Sequence, residues 1–295
     1  MREPERYSAV RYLAAKAAVD DDALNTRVMD ALRRGLPSDR TANRLRVIEP
    51  GAGVGNMLRR LQQADVLGEA DYVMVDLDEH SLAEAARVAK ALTGGAGRSG
   101  LKVEIVVDDA AAFLDREAAH GRRADLIIAQ ALVDLLNVPS FLRAAAGALT
   151  PGGLLYLPIT FDGGTMFEPR IDPELDERII AAFHATMDAR RTPDGLPTGG
   201  SAASRALLRE LPHAGLETVA AGASDWVVLP RPGSYAQDVG YFLHHIVNLV
   251  REALRGGTSV PDAALNRWLS ERHAQIERGE LIYIAHQLDV LARKP

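Results

Sequence analysis

The order of apolar and polar positions along the middle of the chain predicts strands and helices in alternation. Short runs rich in β-branched residues are each followed by stretches whose apolar residues have helical spacing. The strand runs are almost continuously apolar, which is typical of strands buried on both faces. The pattern predicts an α/β fold with a mostly parallel central sheet and helices on both faces. The predicted strands are RVIE, YVMVD, KVEIVV, DLIIAQ and GLLYLPIT, and the predicted helices are a helix from Asn56, His80–Leu92 and Ser140–Leu149.

The two ends of the chain are predicted to be mainly helical. Before the first strand we expect two helices that break near Asp20, because the run VDDDALN offers capping carboxylates. After Thr160 the sequence becomes rich in turn residues before it returns to helical spacing. The later predicted elements are the helical run ERIIAAFHATMDARR, a helix at Ser204–Leu211, a hairpin or strand in LETVAAGASDWVVL, helices at about 235–254 and 262–278, and a closing strand in LIYIAHQLDVLAR.

This order also predicts how the chain is divided. We expect an N-terminal helical cap over residues 1–40 and a main domain over residues 41–295. Two segments of the main domain, at about 161–200 and 232–279, have the character of helical lid insertions. Variable segments of this kind commonly determine substrate choice.

Composition narrows the range of partners. Of the 295 residues, 47% are hydrophobic and 25% are charged, and the formal charge is −6. An acidic balance argues against a broad basic face for nucleic acid or an anionic membrane. There are no cysteines, which excludes disulfides, thiolate metal sites and cysteine nucleophiles, and no apolar run approaches the ~20 residues that span a bilayer. We expect a cytoplasmic protein without a membrane or nucleic-acid partner, and its oligomeric state is open.

The run VIEPGAGVGN places glycines at positions 51, 53 and 55, directly after the first predicted strand and before a helix. Glycines at such a junction permit a tight turn and let a ligand approach the backbone amides. The spacing is G-x-G-x-G, and Asn56 stands where a dinucleotide site would have its third glycine. Glu49 lies two residues before the bend, and a carboxylate there would repel a diphosphate but attract a cationic ligand. A cationic ammonium or sulfonium ligand is therefore favoured.

Polar side chains follow the next three predicted strands. Asp76 ends the second strand, where a carboxylate can accept both hydroxyls of a ribose, and Asp78 stands where a helix N-cap is wanted. Asp108 and Asp109 end the third strand and are both placed to meet an adenine amine, although Asp108 could instead cap the following helix. Gln130 ends the fourth strand. These positions converge on the crevice at the carboxyl ends of the strands, the usual ligand site of such sheets.

Taken together, the runs EPGAGVG, VDLD, VDDAAAF, ADLIIAQALVDLL and LTPGGLLYL resemble the ordered motifs of the class I S-adenosylmethionine-dependent methyltransferases. The resemblance covers residues 46–158 well and the rest more loosely. It implies a Rossmann-like fold with a mostly parallel seven-stranded sheet and S-adenosylmethionine as cofactor. It also implies a set of cofactor-binding residues, namely Glu49 for the methionine part, Asp76 for the ribose, Asp109 for the adenine amine, Leu77 and Ala110 beside the purine, and Gly51, Gly53, Gly55, Asn56 and Gln130 around the bend.

The expected activity is transfer of a methyl group to a small, partly hydrophobic molecule, because aromatic residues are frequent in the lid segments. Two other functions stay open. One is methylation of RNA or protein, and the run AQALVDLL does not resemble the N-P-P-Y tetrad of base-amine methylation. The other is non-catalytic binding of S-adenosylmethionine, or an NAD-dependent reductase, since fold does not fix function.

The sequence does not identify a catalytic residue, but three candidates border the expected pocket. His244 and His245 lie on the helix predicted at about 235–254, with His244 pointing away from its apolar stripe and so expected to be exposed, and His245 on the flank. Asp162 follows the fifth strand. No histidine and carboxylate spacing resembles H-E-x-x-H, so no metal is expected. Further pocket candidates are His184, Trp226 and, in the N-terminal cap, Tyr7, Tyr12, Lys16, Asn25 and Arg27, where a basic side chain could pair with the methionine carboxylate.

Overall fold

One mixed sheet organises the fold. The computed structural model describes residues 1–37, 44–94, 100–236, 238–257 and 260–295. The predicted boundary between residues 40 and 41 lies outside the described residues. Within these ranges, no helix has the length and apolar character needed to cross a bilayer.

The strands of the described residues form a single sheet in the order β3-β2-β1-β4-β5-β8-β6, and β7 also pairs with β8. The first five strands run parallel to one another, whereas β8 is antiparallel to β5, β6 and β7. The predicted mostly parallel α/β sheet is therefore confirmed. The strands are β1 Leu45–Pro50, β2 Ala70–Asp76, β3 Leu101–Val107, β4 Ala124–Ile128, β5 Leu149–Glu168, β6 Glu217–Ala223, β7 Trp226–Val228 and β8 Ile282–Arg293.

Helices flank the sheet and bury its faces in two apolar clusters, while a third cluster joins the N-terminal helix to the helices after β7. The helix-forming segments carry side-chain caps: Asn25, Asp78, Asn137 and Asp172 each accept backbone amides of the following first turn. The helices are α1 Ala9–Ala23, α2 Thr26–Gly35, α3 Asn56–Gln63, α4 Glu79–Thr93, α5 Ala110–Ala119, α6 Val138–Ala148, α7 Pro173–Asp188, α8 Ala203–Glu210, α9 Val239–Leu254 and α10 Asp262–Arg278.

Two predicted boundaries were wrong. The two N-terminal helices break at Leu24 and Asn25 rather than near Asp20, because Asn25 provides the cap and Asp20 lies inside α1. The stretch after Thr160 is a strand as far as Glu168: β5 pairs with β8 along this length, and register shifts accommodate the glycines between Phe161 and Gly164. Of the two alternatives for LETVAAGASDWVVL, a hairpin or a strand, the strand is found: β6 and β7 each pair with β8.

Candidate functional site

The glycine bend between β1 and α3 follows a backbone path that side chains disfavour. Gly51, Gly53 and Gly55 all have left-handed backbone, with φ of 70°, 52° and 81°. A Cβ on Gly51 would lie 2.8 Å from the Leu132 side chain, and one on Gly53 would lie 3.2 Å from Leu13 of α1. The glycines are therefore required both by the turn itself and by the protein groups packed over it.

Asp76 ties the end of β2 to this bend. Its carboxylate accepts a hydrogen bond from the Gly53 amide at 2.8 Å and another from the Asp78 amide at 3.0 Å. A carboxylate has about four lone-pair positions, so acceptor capacity remains for a ligand. Asp78 caps α4 through the amides of His80 and Ser81, which confirms the predicted cap and leaves Asp76 as the acid that faces the bend.

Glu49 is buried beneath the bend, with 2% of its surface exposed. It accepts a hydrogen bond from the Tyr72 hydroxyl at 2.6 Å. Burial raises the pKa of Glu49 to about 8, although the Tyr72 hydrogen bond and the charge of Arg60 act in the opposite direction. Without a ligand, the raised pKa favours the protonated form of Glu49 at neutral pH, and its contact with a cationic ligand stays a prediction.

Helix α1 closes over the bend through a buried polar network centred on Asp20. The Asp20 carboxylate accepts hydrogen bonds from Lys16 Nζ at 2.6 Å, Gln130 Nε2 at 2.6 Å and Trp226 Nε1 at 2.9 Å. Arg60 adds a bond of 2.7 Å to Gln130 Oε1. Nearby, Asn56 Nδ2 donates to the Leu13 carbonyl at 2.8 Å. Predicted site residues from three separate segments are thus brought together under α1.

The bend opens into a cavity of about 510 Å³, a size typical of small-molecule sites. The wall beyond the bend is mainly apolar and includes residues of both predicted lid segments. Two cavity residues with side chains, Ala131 and Ile159, have left-handed backbone, with φ of 48° and 56°, and strain of this kind is often found at functional sites. The residues of this wall include Leu135, Phe161, Thr165, Phe183, Met187, Arg190, Trp226, Ile246, Leu249, Tyr283 and Gln287.

The residues predicted to meet adenine lie outside this cavity's lining. Asp109, expected to face the amine, caps α5 by accepting the Ala111 and Ala112 amides, so the cap belongs to Asp109 and not to Asp108. Asp108 instead pairs with Arg116. Leu77 is 70% exposed, and Ala110 is buried in the first turn of α5. Their contacts with a purine stay predictions.

The three catalytic candidates do not line the cavity either. His244 is fully buried rather than exposed, because α10 covers it: its Nδ1 lies 2.8 Å from Nδ1 of His273. His245 stacks on the Tyr12 ring at 4.2 Å between centroids. Asp162 accepts the backbone and side-chain N–H groups of Arg205 at 3.1 and 3.0 Å, which is a structural role.

Of the five candidates in the N-terminal segment, Tyr12 and Lys16 line the cavity. Tyr7 packs edge-on against His245, Asn25 caps α2, and Arg27 is exposed. Trp226 also lines the cavity, as predicted from topology, and His184 lies behind its wall, where its Nε2 is 3.0 Å from Thr165 Oγ1. Over the described part of the chain, His, Asp and Glu side chains form no group of three that could hold a metal ion.

Sequence reasoning missed two acidic residues of the cavity, Asp20 in the network under α1 and Asp134. Asp134 lies in a short 3-10 helix, Val133–Leu135, after β4, and it lines the cavity. The only sign of Asp134 in the sequence is that an acidic residue interrupts the apolar run ALVDLL. Its position inside the cavity depends on α1 and on the end of α7, which are remote in sequence.

Residues 47–153, which contain the glycine bend, Asp76 and Asp134, match the family model described as a methyltransferase domain. Residues 47–153 are thus similar to a methyltransferase domain, which agrees with the resemblance to the S-adenosylmethionine-dependent methyltransferases. The match supports S-adenosylmethionine as the cofactor. No curated protein matches the sequence significantly.

Solved methyltransferase structures are similar to this methyltransferase in overall fold at low identity. A structure of a methyltransferase from Methanosarcina mazei is 15% identical, with 92% of this chain and 98% of that chain covered and a TM-score of 0.49. Geranyl diphosphate methyltransferase is 10% identical (91% and 77% covered, TM-score 0.45), and mycolic acid cyclopropane synthase is 12% identical (99% and 93%, TM-score 0.45). Similarity at this level does not extend to substrate.

The residues present fit the cofactor. Gly51 and Gly53 line the cavity with backbone alone, and Asp76 offers spare acceptor positions to a sugar diol. The cavity also holds cationic and amide donors suited to a carboxylate, on Lys16 and Gln130. Gln287, only 2% exposed, has an Nε2 with no hydrogen-bond partner in the described residues, which leaves a buried donor available at the cavity.

Proposed function

We propose that this methyltransferase acts on a small, partly hydrophobic molecule held in the same cavity as the glycine bend. The observation that carries the proposal is the continuity of that cavity: it joins Asp76 and the bend to a wall of Phe161, Phe183 and Tyr283. An apolar chamber with few polar groups is the usual form of a small-molecule site. A macromolecular acceptor would have to bring its target group past α1, whose Tyr12, Leu13 and Lys16 line the same cavity.

In this proposal the bend and its neighbours hold the cofactor. Asp76 accepts the ribose hydroxyls while it keeps the Gly53 amide, and the buried Glu49 lies near the methionine part. Lys16 and Gln130 each use one N–H on the Asp20 carboxylate, and the N–H groups that they keep beyond it are the donors for the methionine carboxylate. When bound, S-adenosylmethionine supplies an electrophilic methyl group.

The protein's contribution to the reaction is then positioning and exclusion of water. Methyl transfer is an in-line displacement, so the acceptor must be held in line with the methyl group in a dry site. Met187 of α7 and Ile246 of α9 pack against the chamber from the lid segments, and Tyr12 covers it from α1. Substrate choice is expected to depend on these side chains, because the bend serves the cofactor alone.

The experiment has two stages. Calorimetric titration should show binding of S-adenosylmethionine and none of NAD, and transfer of a labelled methyl group should then be found for members of a panel of small hydrophobic acceptors. Asp76→Ala should abolish both signals, whereas Asp115→Ala, an exposed aspartate on α5, should leave both unchanged. Binding of NAD in place of S-adenosylmethionine, or methylation of RNA or protein alone, would refute the proposal.

A further inference from the structure

Asp134 is a carboxylate that the fold places in the acceptor chamber without satisfying it. Its side chain is 17% exposed and lines the cavity beside Leu132 and Leu135. The closest cation is Arg190, whose Nη1 lies 3.6 Å from Asp134 Oδ2, beyond hydrogen-bonding distance. In the described part of the chain, no hydrogen bond from another residue reaches this carboxylate. Its carboxylate therefore keeps acceptor positions for a molecule in the cavity.

Asp20 and Asp134 differ in their hydrogen bonds, although both line the cavity. Asp20, in the same cavity, is 1% exposed and accepts from Lys16, Gln130 and Trp226. Buried polar groups are normally satisfied in this way, so the hydrogen bonds of Asp20 hold the protein together rather than a ligand. Asp134 has none of these donors, so a bound molecule is free to interact with it.

The groups that face Asp134 come from two parts of the chain, helix α1 and the end of α7. Arg190 follows α7, and Lys16 and Tyr12 belong to α1; the charges of Lys16 and Arg190 favour the ionised acid, and the charge of Asp134 acts on Tyr12 in turn. Burial outweighs the two cations and raises the pKa of Asp134 to about 6. A carboxyl group of this kind is ionised at neutral pH and is a stronger base than an exposed aspartate, as general-base catalysis requires.

We propose that Asp134 is the general base of the methyl transfer and that the acceptor is a neutral hydroxyl group, phenolic or alcoholic, on an apolar molecule. The inference rests on the proposed function. An acceptor lone pair forms the new O–C bond as the C–S bond breaks, the electron pair of that bond stays on sulfur, and the hydroxyl proton passes to an Asp134 oxygen. Arg190 makes an amine acceptor unfavourable, because a protonated amine would meet its positive charge beside the carboxylate.

The first experiment measures activity with chosen probes: para-cresol and benzyl alcohol as hydroxyl acceptors, and benzylamine and benzyl mercaptan as alternatives. We expect methylation of a hydroxyl probe, with kcat lowered about 100-fold or more in Asp134→Asn while KM changes little. The acid limb of the wild-type pH profile, near pH 6, should disappear in the variant. The exposed Asp115→Asn variant should keep the wild-type profile.

The second experiment needs no cofactor. In protein with carbon-13 in its aspartate carboxyl groups, the resonance missing from Asp134→Asn should titrate near pH 6 and should shift when para-cresol is added. The inference is overturned if para-cresol leaves that resonance unchanged, if amine or thiol probes alone are methylated, or if Asp134→Asn loses less than about ten-fold in kcat, below the range of general-base catalysis. Each of these results leaves the proposed function standing, whereas a failure to bind S-adenosylmethionine at all refutes the proposed function itself.

Discussion

Replacing Glu49 with glutamine should change how the stability of this methyltransferase depends on pH. Burial raises the pKa of Glu49 from 4.5 to about 8, and at about 1.4 kcal/mol per pKa unit this corresponds to about 5 kcal/mol between the two protonation states. The raised pKa means that the folded protein holds a proton that the unfolded chain has released between these pH values. The contribution of Glu49 to the free energy of unfolding should therefore be greatest below about pH 4.5 and should fall as the pH rises towards 8.

Glutamine is neutral at every pH and keeps an oxygen that can accept the Tyr72 hydroxyl. Urea unfolding of Glu49→Gln and wild type should give similar free energies of unfolding near pH 5, and the variant should be the more stable by several kcal/mol near pH 8, up to the ~5 kcal/mol that the pKa change corresponds to. Glu84→Gln, at a half-exposed position of α4, is the matched control and should follow wild type. Parallel curves for wild type and Glu49→Gln would refute the assignment of Glu49 as a buried neutral acid.

Release of the Glu49 proton can also be measured when S-adenosylmethionine binds. At pH 7, one unit below its pKa, Glu49 is protonated in roughly nine molecules in ten. A cationic ligand beside it favours the ionised form, so binding of S-adenosylmethionine should release part of a proton. Calorimetry in buffers of different ionisation enthalpy measures that release, which should be absent in Glu49→Gln. Release that is unchanged in the variant would assign the proton to another group.

The remaining predictions concern the bend and the network under α1. Gly53→Ala and Gly121→Ala each place a side chain on left-handed backbone, with φ of 52° and 71°, and each should lower the free energy of unfolding in urea by about 1–2 kcal/mol. Only Gly53→Ala should also weaken binding of S-adenosylmethionine, because Gly121 is exposed at the end of α5. Equal losses of affinity in the two variants would contradict this prediction. Asp20→Ala removes the buried partner of Lys16 and should lower the free energy of unfolding by about 3–5 kcal/mol. A change of less than about 0.5 kcal/mol in urea, as expected at an ordinary surface site, would show that the network does not hold α1.

The sequence was informative where local pattern and local structure coincide. The bend, the end of β2 and the cap at Asp78 each depend on a few consecutive residues, whose glycines and acids have the same meaning in any parallel α/β sheet. The central strands can be recognised in the sequence because burial on both faces makes them continuously apolar. These features were predicted from the residues and confirmed.

The sequence was misleading where a distant segment decides the environment. A helical stripe identifies one buried face, but α9 is covered on a second side by α10, and that contact buries His244. The glycines after Phe161 suggested a turn, yet pairing with β8 holds them in a strand. Asp134 acquires its importance only when α1 and Arg190 are brought beside it. None of these contacts has a counterpart in the local pattern.

The grip of Asp76 on a bound nucleoside is the central claim, and titration calorimetry tests it most directly. S-adenosylmethionine should bind wild type at a single site, bind weakly to Asp76→Asn, which keeps one oxygen for the Gly53 amide, and not bind to Asp76→Ala, while all three proteins unfold cooperatively. Unchanged affinity in Asp76→Ala, or saturable binding of NAD by a wild-type protein that ignores S-adenosylmethionine, would contradict the account.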